Sequence, residues 1–179
     1  MVLNFRHSQP RRSFVSQPEP ADVSDLGRRA AICAGAGRFD EAMRCYQLAL
    51  LTDEERADLW FNYGSLQRRI GQVLDAIESF EFALRLDPAM YTARCSLALA
   101  RADTGHPLEA LKQLETVTRQ RPNYLPAWHH MVQLMWAIGN HEEAARLARE
   151  GLEHAPGDAD LQMLLERIMR DRDEMPTEH

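Results

Sequence analysis

Histidine and cysteine are the residues of this chain best suited to metal ligation or nucleophilic attack, and it carries seven of the first and three of the second. Their spacing supports neither role. His129 and His130 are adjacent; on a helix their side chains diverge by about 100° and do not converge on one ion. No HExxH and no paired CxxC occurs, the spacings that bring ligands to a single metal. His141, Glu142 and Glu143 read as the solvated first turn of a helix, where acids face the positive end of the dipole. Cys33 is expected to pack as a small hydrophobe and Cys45 to be half-buried. Cys95 is a candidate thiol on an open face, although no neighbour in sequence would lower its pKa. The chain has no GxSxG elbow, no Walker loop and no dinucleotide fingerprint. Gly35-Ala36-Gly37 follows no strand, so phosphate binding is not supported there. The expectation is a chain that is not an enzyme, with no cofactor and no metal.

Composition narrows the remaining classes. The chain has 179 residues, 45% hydrophobic and 27% charged, with a net charge of -6. A single domain of this size can bury a full core. Excess negative charge argues against non-specific grip on nucleic acid or anionic lipid. No apolar run approaches the roughly 20 residues of a membrane helix, so no membrane insertion is expected. Three irregularly spaced cysteines make no disulfide framework and suggest a reducing, cytoplasmic setting. Arg11-Arg12-Ser13-Phe14-Val15 has the look of a twin-arginine export core, but the polar Ser16-Gln17-Pro18-Glu19-Pro20 follows where an apolar stretch is needed. Residues 1–22 therefore read as a flexible tail with a short adhesive patch at Leu3–Phe5.

The elements behind these residues are set by an internal repeat. Gly37, Gly71, Gly105 and Gly139 follow one another at intervals of 34. Five residues after each stands an alanine: Ala42, Ala76, Ala110 and Ala144. Seventeen after the last three stands a proline, Pro88, Pro122 and Pro156, with Glu54 in the first repeat. Glycine closes a helix in the left-handed conformation, alanine lets paired helices approach, and proline fixes the turn to the next pair. Ile77, Phe80, Phe82, Ala83 and Leu84 recur near helical spacing, and no stretch alternates as a strand does.

These markers resemble the tetratricopeptide repeat family, whose consensus is carried most fully by Trp60, Tyr63, Gly64, Gly71, Ala76, Phe80, Ala83 and Pro88. The repeats divide as 23–56, 57–90, 91–124 and 125–158. The third has Arg94 where an aromatic or leucine is usual, and the first has Arg29 at a normally apolar place. Leu161, Leu164, Leu165, Ile168 and Met169 form one stripe of a further helix, so 159–179 reads as a capping helix with a frayed end after about residue 172. The resemblance implies an all-α, right-handed α-solenoid of four tetratricopeptide helix pairs plus that C-terminal capping helix.

In that family the first helix of each pair lines the concave side. The resemblance then makes Phe61, Asn62, Ser65 and Arg68 of the second repeat candidates for binding a partner peptide. Cys95, Ser96 and Leu99 of the third and His129, His130, Gln133 and Trp136 of the fourth join them. Phe61, Leu99 and Trp136 are the apolar anchors, and Arg68 and Arg69 form a cationic patch suited to a carboxylate. Trp60 and Trp128 belong to packing. The carboxylate clamp of heat-shock co-chaperones would need lysines, asparagines and an arginine where Gly27, Ala31, Asn62, Thr92 and Ser96 stand, and only Asn62 fits. An asparagine ladder like that of the O-linked N-acetylglucosamine transferases fails at Arg28, Ser96 and His130. The chain is also similar in size and acidity to class II chaperones of type III secretion. The implied function is a scaffold or adaptor that binds a peptide or helix of another protein. Alternatives are a secretion or assembly chaperone and a regulatory module of a larger enzyme complex. A degenerate first repeat leaves apolar edges open, so a homo-oligomer is compatible with the sequence.

Overall fold

The computed structural model describes residues 22–174. The expected tail, with its Leu3–Phe5 patch and paired arginines, lies outside them apart from Asp22, and so does the end of the chain from 175. The described residues form helices only: α1 (Val23–Gly35), α2 (Phe39–Thr52), α3 (Ala57–Arg69), α4 (Val73–Leu86), α5 (Tyr91–Asp103), α6 (Pro107–Gln120), α7 (Leu125–Ala137), α8 (His141–His154) and α9 (Ala159–Glu174). The chain is an all-α helical-repeat solenoid, as the family resemblance implied.

Each pair closes on its glycine. Gly37, Gly71, Gly105 and Gly139 have φ of 75°, 86°, 87° and 82°, a region where a β-carbon is penalised. In each turn the amide after the glycine reaches back five residues, as from Gln72 to the Gln67 carbonyl at 2.8 Å. That contact satisfies carbonyls a helix end otherwise leaves open. Within pairs the small residues sit at the crossings. A β-carbon on Gly64 would lie 3.0 Å from the Phe80 ring, and Ala42, Ala76, Ala110 and Ala144 are fully buried.

A second periodic contact joins one pair to the next. The Trp60 indole donates to the Glu54 carbonyl at 2.8 Å, and the Trp128 indole to the Pro122 carbonyl at 2.8 Å. Arg94, at the matching place of the third repeat, donates to the Pro88 carbonyl at 3.0 Å. Gln162 of α9 does the same to the Pro156 carbonyl at 2.7 Å. What this place requires is a long side chain ending in an N–H, which accounts for arginine where an aromatic was expected. The accepting group is backbone, so Glu54 serves as well as proline. The α9 helix thus stands where the first helix of a fifth pair would.

Curvature follows from which helices meet. Consecutive odd-numbered helices touch, from α1 through α9, while the described even-numbered helices do not touch one another. The stack is therefore shorter along the odd side, and α1, α3, α5, α7 and α9 line its inner, concave face.

Candidate functional site

The inner face divides into a central stretch and a C-terminal stretch. At the centre, Phe61 packs its ring 6.0 Å from that of Phe80 and remains half-buried, as does Leu99. Ser65 donates to the Phe61 carbonyl at 2.8 Å. Beside them lies a hollow of about 360 Å³ lined by Ser65, Arg68, Arg69, Phe80, Ser96 and Asp103. The expected cationic patch is largely neutralised here. Arg68 donates to the Asp103 carboxylate at 2.7 Å, and Arg69 donates to the Ala34 carbonyl at 3.2 Å with its guanidinium 5.0 Å from the Phe39 ring centre. Arg68 does meet a carboxylate, but one from its own chain. Asn62 and Gln133 are exposed.

At the C-terminal stretch the candidate residues serve α9. Trp136 donates from its indole to Asp171 at 3.0 Å, and the Arg167 guanidinium lies 4.6 Å from the centre of its ring. Trp136, expected to offer its ring to a partner, already has part of it engaged by α9. His129 Nε2 lies 2.9 Å from Asp158, which also accepts the Leu161 amide at 2.8 Å and so caps α9. The Leu161 amide, with help from His129, holds the Asp158 carboxyl below the usual range. His130 is half-buried, and its Nδ1 has no hydrogen-bond partner. Burial, then the neighbouring His129 and Arg68, lowers its pKa against a raising hydrogen bond with Gln133.

Cys95 does not line the open face. It is 3% exposed within the cluster around Trp128 and Met131, and burial pushes its thiol up to about 11. A thiol held protonated in this way is no nucleophile. Cys45, expected to be half-buried, is buried too, as is Cys33. Among the described residues no group of three or more histidine, cysteine or acidic side chains is placed to hold a metal ion. No described helix is long and apolar enough to cross a membrane.

Sequence reading alone missed the pairing of Asp103 with Arg68, of Asp158 with His129, and of Arg167 and Asp171 with Trp136. Three of the contacts they and their neighbours make share one separation. Ala34 to Arg69, Arg68 to Asp103 and Trp136 to Asp171 each span 35 residues, one repeat plus one. With a period of 34, residues 35 apart near the ends of first helices are neighbours across the groove, and that signal was available in the sequence.

Similarity to known proteins bears on the fold. Comparison with curated proteins gives no match. Among solved structures, the MamA protein is 20% identical with a TM-score of 0.68, covering 84% of this chain and 82% of its own. YrrB, described as a TPR protein with an unusual peptide-binding site, is 20% identical with a TM-score of 0.64, over 85% and 78%. PilF of Pseudomonas aeruginosa is 19% identical with a TM-score of 0.69, over 87% and 72%. Models of the tetratricopeptide repeat match residues 34–91 and 64–124, and a further one matches 101–168. With helix pairs closed by left-handed glycines across the same span, this chain belongs to the tetratricopeptide repeat family.

Proposed function

We propose that the chain is a non-catalytic scaffold or adaptor whose concave face holds an extended or helical peptide of a partner protein. The observation that carries this reading is a pair of half-buried apolar side chains, Phe61 and Leu99, beside a polar hollow on the inner helices. Apolar groups of this kind anchor a peptide, and Asn62, Ser65, Ser96 and Gln133 orient it through hydrogen bonds. All of them stand on packed helices, so little ordering opposes binding. The Arg68–Asp103 pair presents both signs of charge, which favours a partner with apolar anchors over a purely acidic one. Trp136 and His129 contribute mainly by fixing α9 against the end of the groove. We place the protein in the cytoplasm on its free cysteines, Cys33, Cys45 and Cys95.

The test is a pull-down from the native cell with the full chain and two variants. Phe61→Ala should weaken capture of the main prey more than about fivefold, the loss of one apolar hot spot. Asn62→Ala/Gln133→Ala alters only exposed side chains and checks the same face without touching the Phe80 contact. Prey captured equally by wild type and both variants, at unchanged helicity, would overturn the groove as the working surface.

A further inference from the structure

The outer helices change character along the stack. At matching places α2 and α4 present Leu48 and Phe82, where α6 and α8 present Thr116 and Glu150. About a turn further on stand Leu51, 84% exposed, and Leu86, 41% exposed. The later pairs carry Arg119 and Glu153 at the place of Leu51, and Gln120 and His154 at the place of Leu86. A row of large apolar side chains left open on a protein surface marks a contact site. Its deepest part is a hollow of about 420 Å³ lined by Glu54, Glu55, Trp60, Phe82, Arg85 and Leu86. Trp60 stacks on Phe82 with ring centres 4.7 Å apart and planes 14° from parallel, so the floor is rigid. The carboxylates of Glu54 and Glu55 have no ion-pair or hydrogen-bond partner among the described residues.

The position of the first described residue says what can reach this hollow. Asp22 caps α1 through the Ser24 amide at 3.0 Å, and in the first turns that follow a β-carbon on Gly27 would lie 2.8 Å from Leu59 Cδ2 at the start of α3. The described chain therefore begins near the turn between α2 and α3 that carries Glu54 and Glu55. Phe14 is eight residues before Asp22, a reach of about 26 Å for extended chain. The segment holds Arg6, Arg11 and Arg12 against one acid, Glu19, and its apolar residues include Leu3, Phe5, Phe14 and Val15. Apolar side chains flanked by arginines complement a hollow with an aromatic floor, where the two carboxylates of Glu54 and Glu55 outweigh the one guanidinium of Arg85, 3.8 Å from the Phe82 ring centre. A tether this short also gives a local concentration on the order of millimolar, well above that of a second copy in dilute solution.

We propose that the N-terminal segment docks on this hollow within the same chain, Phe14 and Val15 against Phe82 and Leu86, with Arg11 and Arg12 facing Glu54 and Glu55. The reading is independent of the groove, whose Phe61 and Leu99 do not line this hollow.

The experiment places a photoreactive benzoylphenylalanine at Phe14 of the full chain and maps the products by mass spectrometry at two protein concentrations about tenfold apart. Intramolecular crosslinks to 51–60 and 82–86, with a yield unchanged by dilution, are expected. Glu54→Lys/Glu55→Lys, a change confined to exposed residues, should lower that yield several-fold, and Leu86→Ser should do the same. Three results would overturn the proposal: covalent dimers rising with concentration, crosslinks to the inner face around Phe61, or no crosslink to the hollow. Crosslinking that is indifferent to both variants would overturn it as well.

Discussion

In the C-terminal half most buried side chains of the third and fourth pairs and of α9 run together as one cluster, from Cys95 to Ile168. The N-terminal half holds two smaller clusters, one around Tyr46 and Leu59 and one around Phe80 that reaches across to Leu97 and Ala100 of α5. The ends differ in the same sense. The last pair is closed by α9, whose Leu161 and Ile168 are fully buried, whereas α1 is uncovered and exposes Asp25, Arg28 and Arg29 together with Ile32. One end is thus sealed by burial, and the other meets solvent through a mostly charged helix. A repeat array is stabilised by each unit and by each interface to its neighbour, so a half with a continuous core resists local opening more than a half with an interrupted one.

The largest effect is expected where α9 closes the stack. Leu161→Ala should cost about 2–5 kcal/mol, the range for a fully buried leucine whose cavity does not collapse. Urea unfolding measures the loss. Hydrogen exchange should show α7 and α8 opening first in the variant and α1–α4 unchanged. Equal opening along the whole chain would mean that the two halves unfold as one unit and that their separate clusters carry no energetic boundary.

Glycine substitutions test the same contrast with one methyl group. A β-carbon on Gly151 would stand 2.9 Å from Leu161 Cδ1 and 3.2 Å from the Trp128 side chain. Gly151→Ala should therefore cost about 1–3 kcal/mol as overpacking. Gly35 in α1 has nothing within 4 Å of that position. Gly35→Ala should raise stability by about 0.4–1 kcal/mol by restricting the unfolded chain. Thermal unfolding of the two variants should move in opposite directions.

A smaller effect separates the halves by pH. Burial first, then His129 and Arg68, lowers the pKa of His130, so the native state favours its neutral form. A depressed pKa gives stability that is present above the unfolded value of about 6.5 and is lost as pH falls toward the lower native value. Asp158 obeys the same sign in a more acidic window, its contribution fading only below the ordinary aspartate range. His130→Gln should flatten the decline in melting temperature between pH 7.5 and 5.5 relative to wild type. An identical slope in both proteins would remove His130 from the account.

How far the sequence could be read depended on whether a feature repeats. Gly71 and its three counterparts recur, and each adopts the conformation its spacing required. Arg94 looked like a flaw because only residue type was compared; its N–H makes the bond that the tryptophans make. Trp136 and Cys95 were harder, because what decides their surroundings is the facing helix. Cys95 points into a cluster built by α5, α6 and α7, and Trp136 meets α9, which follows the last complete repeat. Neither contact is local, and apolar periodicity on one helix does not say which neighbour covers it. The polar links across the groove were legible in principle, since a separation of 35 in a 34-residue repeat brings first-helix ends together.

Those links also give the finest test of the contrast. Arg68 and Asp103 join the second and third pairs, and Trp136 and Asp171 join the fourth pair to α9. Between the third and fourth pairs the matching residues are Ala102 and Ala137, which have no polar group to offer. Burial already holds that junction, so its lack of a link should matter little. The double variant Ala102→Arg/Ala137→Asp installs the missing pair at a site where Ala137 is exposed. Partly exposed pairs of this kind contribute about 0.2–1 kcal/mol, less in high salt. A double-mutant cycle by urea unfolding reads the coupling directly, with each single change as its own control. A coupling near zero would mean that the third and fourth pairs place these ends too far apart, and that Arg68–Asp103 reflects the geometry of one junction. A coupling of the same size as that measured for Arg68 and Asp103 would make the link a property of the repeat, independent of how continuous the core beneath it is.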